Sequence, residues 1–255
     1  MPLPDAVPRF RDAAVAAFGG RVQCLLLTGS HARGDAHASS DIDMWLLLDE
    51  VSPCDLRRVA EIIASIPSHC ELNIQCISTA EMQMARGAFE PVQFHLDGIV
   101  LHGDLSLPPL TDEDVRGAAA RIGAEVLMGC RHYITAREAE AALADGKLRT
   151  WVLKPLMWAL RYEAYGRLGE YPRHLTTLHD AAFSPDAQAL VQTYGQMLLD
   201  GFEGVCLRVV DQAEAVARDL LRRVHIGQMR ADGTDRPSSD GCGEHDNGAR
   251  APVRP

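Results

Sequence analysis

Between Arg21 and Glu50 the chain reads RVQCLLLTGSHARGDAHASSDIDMWLLLDE, two apolar runs around a small, polar, turn-rich stretch. Val22 to Thr28 has the length and composition of a buried strand, and Ile42 to Leu48 reads as a second strand entered through Asp41 and Asp43. Gly29 to Ser40 between them leaves room for a corner and a short helix or loop. Alternate residues of a strand share a face, so Asp41 and Asp43 point together, about 6 to 7 Å apart along the backbone. Carboxylates placed in this way can converge on divalent ions, which stand about 3.5 to 4 Å apart in two-metal sites. Gly29 lets the backbone approach a ligand closely. Ser30 reads as an N-cap, and helix N-termini hold phosphate. One side of the corner therefore suits a polyphosphate and the other suits Mg²⁺.

The remainder of the composition narrows the partners. The net charge of −10 argues against nucleic acid, which needs a basic face to neutralise phosphates. It is compatible with a cationic small molecule. The seven cysteines include no C-x-x-C pair and are expected to be reduced, mostly buried thiols of a cytoplasmic protein. MPLPDAVPRF has neither the charged head nor the apolar core of a secretory signal, and no apolar run approaches the length of a membrane span. Aromatic residues make up 5% of the chain, so Leu, Ala and Val must fill the core.

An amphipathic helix is expected from Pro4 to Phe18, and another from Asp55 to Ile66 with Leu56, Val59, Ile62, Ile63 and Ile66 on one face. Cys70 to Ser78 alternates as a third strand. Its polar face of Glu71, Asn73 and Gln75 is unusual for a central strand unless it lines a site. Antiparallel or mixed pairing beside the second strand would bring Glu71 near Asp41 and Asp43. Thr79 to Arg86 follows as a helix capped by Thr79, Ala88 to Leu96 is ambiguous, and Ile99 to His102 is a short strand. Pro108-Pro109 then breaks the chain. From Thr111 the period becomes helical, with segments at Val115 to Leu143, Lys147 to Leu168, Leu175 to Phe183, Pro185 to Leu199 and Phe202 to Val224. Pro155 is expected to kink its helix, and Trp151 and Trp158 to pack between the two halves. The expected class is α+β: a mixed-sheet domain over 1–108, a helical bundle over 109–229 and a disordered tail over 230–255.

Gly29-Ser30, ten intervening residues and Asp41-Ile42-Asp43 in apolar flanks resemble the signature of the DNA-polymerase-β-like nucleotidyltransferase superfamily. GSHARGDAHASSDIDMWL is similar to the minimal and the aminoglycoside- and lincosamide-modifying branches. The superfamily carries a third acid on a later strand, and Cys70-Glu71-Leu72 fits that position. The resemblance implies attack of an acceptor hydroxyl on the α-phosphate of a nucleoside triphosphate, with loss of pyrophosphate. It implies Asp41 and Asp43 as Mg²⁺ ligands, two ions in all, with Gly29 and Ser30 on the phosphates. Glu71 is then a third metal ligand or a base, and those two roles stay open. For Arg33, a contact to phosphate and a surface placement are equally compatible with the sequence. In some antibiotic nucleotidyltransferases a lysine of the helical domain reaches the phosphates, which makes Lys154 a candidate.

Three functions compete. The first is an adenylyltransferase using ATP to modify a small, cationic, aminoglycoside-like acceptor, an activity associated with antibiotic resistance. The second is a protein-modifying nucleotidyltransferase of the toxin–antitoxin kind, and the third is a binding module that keeps the fold without catalysis. No membrane partner is expected, and a homodimer is left open.

Overall fold

The computed structural model describes residues 3–37, 40–84, 89–136, 147–201 and 207–234. Helix α1 (Ala6–Phe18) leads through a 3₁₀ turn into β1 (Val22–Leu27). The five-residue α2 (Gly29–Arg33) separates it from β2 (Ile42–Leu48). Then come α3 (Pro53–Ser65), β3 (Leu72–Ser78), α4 (Thr79–Met84), α5 (Phe89–Asp97) and β4 (Ile99–Gly103). The strands form one mixed sheet in the order β3-β2-β1-β4. β1 runs antiparallel to both β2 and β4, while β3 lies parallel to β2 with Ile42 opposite Leu72 and Asp43 opposite Asn73.

The two faces of the sheet are both covered, which explains the unbroken apolar text of β1 and β2. Leu25, Leu27, Met44 and Leu46 pack with Phe10 and Ala14 of α1 and Val59 and Ile62 of α3. On the other face Cys24, Leu26 and Leu47 meet Met82 and Phe94, and Trp45 stands edge-on to Phe94 at 5.1 Å. The pairing of β3 with β2 is parallel, so Glu71 comes beside Asp41 at the same end of the sheet, with the Glu71 carbonyl accepting Ile42 N–H at 2.8 Å. β3 is an edge strand, and this position accounts for the exposure of Asn73 and Gln75.

The rest is helical: α6 (Asp112–Ala136), a π-helical turn (Arg149–Leu153), α7 (Lys154–Leu168), α8 (Leu175–Ala181), α9 (Pro185–Asp200) and α10 (Leu207–Thr234). α6 packs against both α7 and α10 around Val126, Leu156, Leu160 and Leu220. Val92 and Leu96 of α5 belong to this second core, so the sheet-bearing part reaches into it.

Several expectations change. The ambiguous Ala88–Leu96 stretch is α5 over its described residues, and α10 continues to Thr234, past the expected start of the tail at 230. The expected continuation of α6 beyond 136 and the tail from 235 lie outside the described residues. Pro155 directly follows the π-helical turn inside one helical run from 147 to 168, and a turn of this kind is where a helix accommodates a missing backbone N–H and bends. Trp151 is exposed rather than packed between the halves, whereas Trp158 is half-buried. The helix that follows β3 is capped by Ser78, not Thr79: Ser78 Oγ accepts Glu81 N–H at 3.2 Å and Glu81 accepts Ser78 N–H at 2.8 Å. Leu56 is 49% exposed, because the α3 face turned to the sheet is the Val59–Ile62 face. Replacing Leu56 by Ala should therefore change stability by less than about 0.5 kcal/mol. Ile62→Ala should cost about 2 to 5 kcal/mol. Denaturant unfolding of the two variants checks both.

Candidate active site

The corner between β1 and β2 is built around the Asp43 side chain. Thr28 donates its N–H to the Asp43 carbonyl at 2.9 Å, which brings the end of β1 against the start of β2. The next residue, Gly29, lies in the left-handed region at φ 71°, and a Cβ added there would overlap Asp43 Oδ2. Gly29 is thus required twice, for its backbone angle and for the room it leaves the carboxylate. Asp43 Oδ1 accepts a hydrogen bond from Asn73 Nδ2 at 2.8 Å. Burial raises the Asp43 pKa; the Lys154 ammonium opposes that shift and Asp41 adds to it.

Ser30, Asp41 and Lys154 line one cavity together with Arg149, Trp158 and Tyr194. The Lys154 ammonium sits 5.5 Å from the centre of the Trp158 ring, within cation–π range. The structure therefore joins four of the sequence-derived site residues, Ser30, Arg33, Asp41 and Lys154, in one space, while Asp43 interacts with Lys154 and Asp41 and has Gly29 against it. Ser30 is not the N-cap. Thr28 occupies that position in extended conformation, and Ser30 lies inside α2, where its carbonyl accepts the N–H groups of Gly34 and Asp35 at 2.9 and 3.0 Å.

Glu71 stands apart. Its side chain is exposed, it does not line the cavity, and its backbone rather than its carboxylate ties it to the strand carrying Asp41. Among the described residues no group of three or more His, Cys, Asp or Glu is close enough to hold a metal ion. The pair Asp41 and Asp43 nonetheless suits Mg²⁺. Its oxygens are hard donors, Asp43 is a half-buried carboxylate with a like charge nearby, and Mg²⁺ is commonly held by one or two carboxylates plus substrate phosphates.

Arg33 is neither on the surface nor turned freely to the cavity. It is 7% exposed, bonded to Asp97 at 2.8 Å and to Asp35 at 3.3 Å. Burial works against its charge, but Asp97 and Asp35 outweigh it and raise its pKa. Arg161 of α7, also buried, reaches Asp35 at 3.1 Å and the Pro172 carbonyl at 3.2 Å. Burial lowers its pKa, with Arg33 adding to the effect. Two arginines and two aspartates thus link α2, the end of α5 and α7. His37 accepts from Arg149 at 3.4 Å, and its pKa is lowered by burial and then by Arg149. None of Asp35, Asp97, Arg149 or Arg161 was singled out from the sequence, and Asn73 was named only as part of the polar face of the third strand. A signal existed for Arg161, which lies seven residues after Lys154, two helical turns along the same face, inside the apolar text LMWALRY.

The cavity is narrow, about 40 Å³, against roughly 300 to 1,000 Å³ for small-molecule sites. A nucleoside triphosphate and an acceptor would need its walls to move apart.

The sheet, the corner and the helical half together make a fold that is also found in a solved adenyltransferase. A particular protein with this fold is the spectinomycin adenyltransferase AAD(9) from Enterococcus faecialis, solved with ATP and spectinomycin. The chain is similar to it with a TM-score of 0.55 over 87% of its own length and 98% of the other chain, at 10% identity. No protein-family model matches the sequence, and no curated protein matches it.

Two outcomes follow for this corner. Gly29→Ala adds about 1 to 2 kcal/mol of left-handed strain and pushes Asp43 aside, so the variant should unfold at lower denaturant than wild type. Asp43→Asn should have the opposite effect without divalent cations. A carboxylate whose folded pKa is raised contributes stability below its ordinary value, near 3.8, and loses it as pH rises through the raised value. Thermal melts from pH 3 to 8 should show that loss in wild type and not in Asp43→Asn.

Proposed function

We propose that the protein is a Mg²⁺-dependent nucleotidyltransferase that moves a nucleoside monophosphate, AMP from ATP, onto a hydroxyl of a small cationic acceptor. The observation that carries this reading is the convergence of Asp41, Ser30 and Lys154 on one cavity beside Asp43, in a chain with the fold of an adenyltransferase. Residues 1–108 are the catalytic part in this reading and 109–229 the substrate-binding part. AAD(9) was solved with ATP and spectinomycin, which favours an aminoglycoside-like acceptor and a role in antibiotic resistance over modification of a protein.

Asp41 and Asp43 would hold Mg²⁺, which when bound neutralises phosphate charge. Ser30 offers a hydroxyl at the corner for the terminal phosphates, and Lys154 meets them from α7 as a point charge. Trp158 limits the swing of the lysine. The acceptor hydroxyl lies in line with the bond to the leaving pyrophosphate. Glu71 receives its proton once the substrates draw the edge strand into the site, or else supplies a further oxygen to the metal. A carboxylate with an ordinary pKa of about 4.3 is a weak base for an alcohol, so positioning supplies much of the rate.

Pyrophosphate release from an NTP panel with Mg²⁺, against aminoglycosides and lincosamides, tests the proposal. Mass spectrometry should find the nucleoside monophosphate on oxygen, since a protonated amine is no nucleophile. Asp43→Asn should reduce turnover by at least about 10²-fold, the scale of losing an electrostatic contact to the reacting group, while remaining folded. Lys154→Ala should act in the same direction with a raised KM for the nucleotide. With ATP present the site is anionic in a chain of net charge −10. The acceptor KM should therefore rise as the Debye length shortens from about 30 Å at 0.01 M salt to under 10 Å. A labelled protein as the sole product, or an acceptor KM flat with salt, would overturn this assignment.

A further inference from the structure

A second cavity lies on the other side of α7. With about 100° between successive helical residues, Lys154, Met157, Trp158 and Arg161 share one face, and Tyr162, Glu163, Gly166 and Arg167 share the opposite one. The first group lines the catalytic cleft. The second lines a cavity of about 670 Å³ closed by α6 and α10, within the usual range for small-molecule sites.

Its charge runs against that of the chain. Four arginines, Arg116, Arg167, Arg222 and Arg223, face two acids, Glu163 and Asp219, a local excess of positive charge in a protein of net charge −10. Arg167 pairs with Glu163 and Arg223 with Asp219, each at 3.2 Å. Arg116 and Arg222 make no ion pair among the described residues. The Glu163 side chain is 9% exposed, and its Oε2 is buried with no hydrogen-bond partner among the described residues. Ala119, Gly166, Val224 and Ile226 supply apolar wall between these charges.

We propose that this cavity is a second ligand site, separate from the cleft, for a small organic oxyanion with an apolar body. The oxyanion meets Arg116 and Arg222, and the body lies on the small residues of α6 and α7. The site does not depend on the nucleotidyltransferase reading.

The probe is 1-anilinonaphthalene-8-sulfonate, an aromatic sulfonate with an N–H donor, titrated by fluorescence into the full chain. Saturable one-to-one binding is expected. Arg116→Gln with Arg222→Gln should weaken it by about tenfold or more, the scale of losing hydrogen bonds to charged groups. Lys154→Ala, in the cleft, should leave it unchanged. Should the double variant fail to give the wild-type circular dichroism spectrum, the exposed Arg222→Gln alone serves, with about threefold weaker binding expected. Non-saturable binding, binding unchanged in the arginine variants, or a loss in Lys154→Ala as large as theirs would overturn the proposal.

Discussion

The buried ion network of Arg33, Asp35, Asp97 and Arg161 is the constraint on which the spatial relation of sheet and helices depends. Each buried charge has a desolvation cost that its partners must offset, so the network is stable only when complete. Arg33 comes from the corner helix, Asp97 from the end of α5 and Arg161 from α7. Completing the set therefore presses the corner against the helical half. This contact also delivers Lys154, two turns earlier on α7, to the neighbourhood of Asp43. The narrowness of the cleft follows from the same contact, since Arg33, Asp35 and Arg161 are part of its lining.

The corner itself was legible in the chain because every local requirement there is chemical and short-range. Apolar runs with no polar alternation demand a sheet covered on both faces, a glycine before the turn admits a left-handed backbone, and two acids in i, i+2 register declare a common face. The α+β class and most helix bounds followed from the same kind of periodicity. The direction of β3 was less accessible. Its alternation defines two faces but says nothing of whether the strand runs with or against β2, and the helix α3 between them is what makes a parallel crossover feasible. The polar face of β3 was read as a site lining: Asn73 does reach Asp43, and the edge position accounts for the exposure of the face as a whole.

What the sequence could not reveal is pairing across long separations. Arg161 and Asp35 are 126 residues apart, and Arg33 and Asp97 are 64 apart. Nothing in the composition near Arg33 distinguishes a phosphate contact from a structural ion pair. The decision belongs to Asp97, which falls at the end of the stretch whose helical character was ambiguous. Leu56 and Trp151 failed for a related reason. A helical stripe drawn from sequence is wider than the strip its neighbours cover, so residues at its margin remain in solvent.

The arrangement of acids has a consequence for how the site is completed. Asp41 and Asp43 share a strand face, and Glu71 adjoins them only through the backbone of an exposed edge strand. A pair of carboxylates is too few ligands to strip a strongly hydrated cation of its water, and Mg²⁺ sites of this kind draw their remaining oxygens from substrate phosphates. Electrostatics points the same way: burial and Asp41 raise the Asp43 pKa against the opposing Lys154 ammonium, so added positive charge would favour the ionised carboxylate. A preformed cage would have required a third acid inside the cleft, where Arg33 and Arg161 already occupy Asp35. The acids Asp35 and Asp97 hold the two halves together, and in the proposed reading the nucleotide would complete the metal site at the corner.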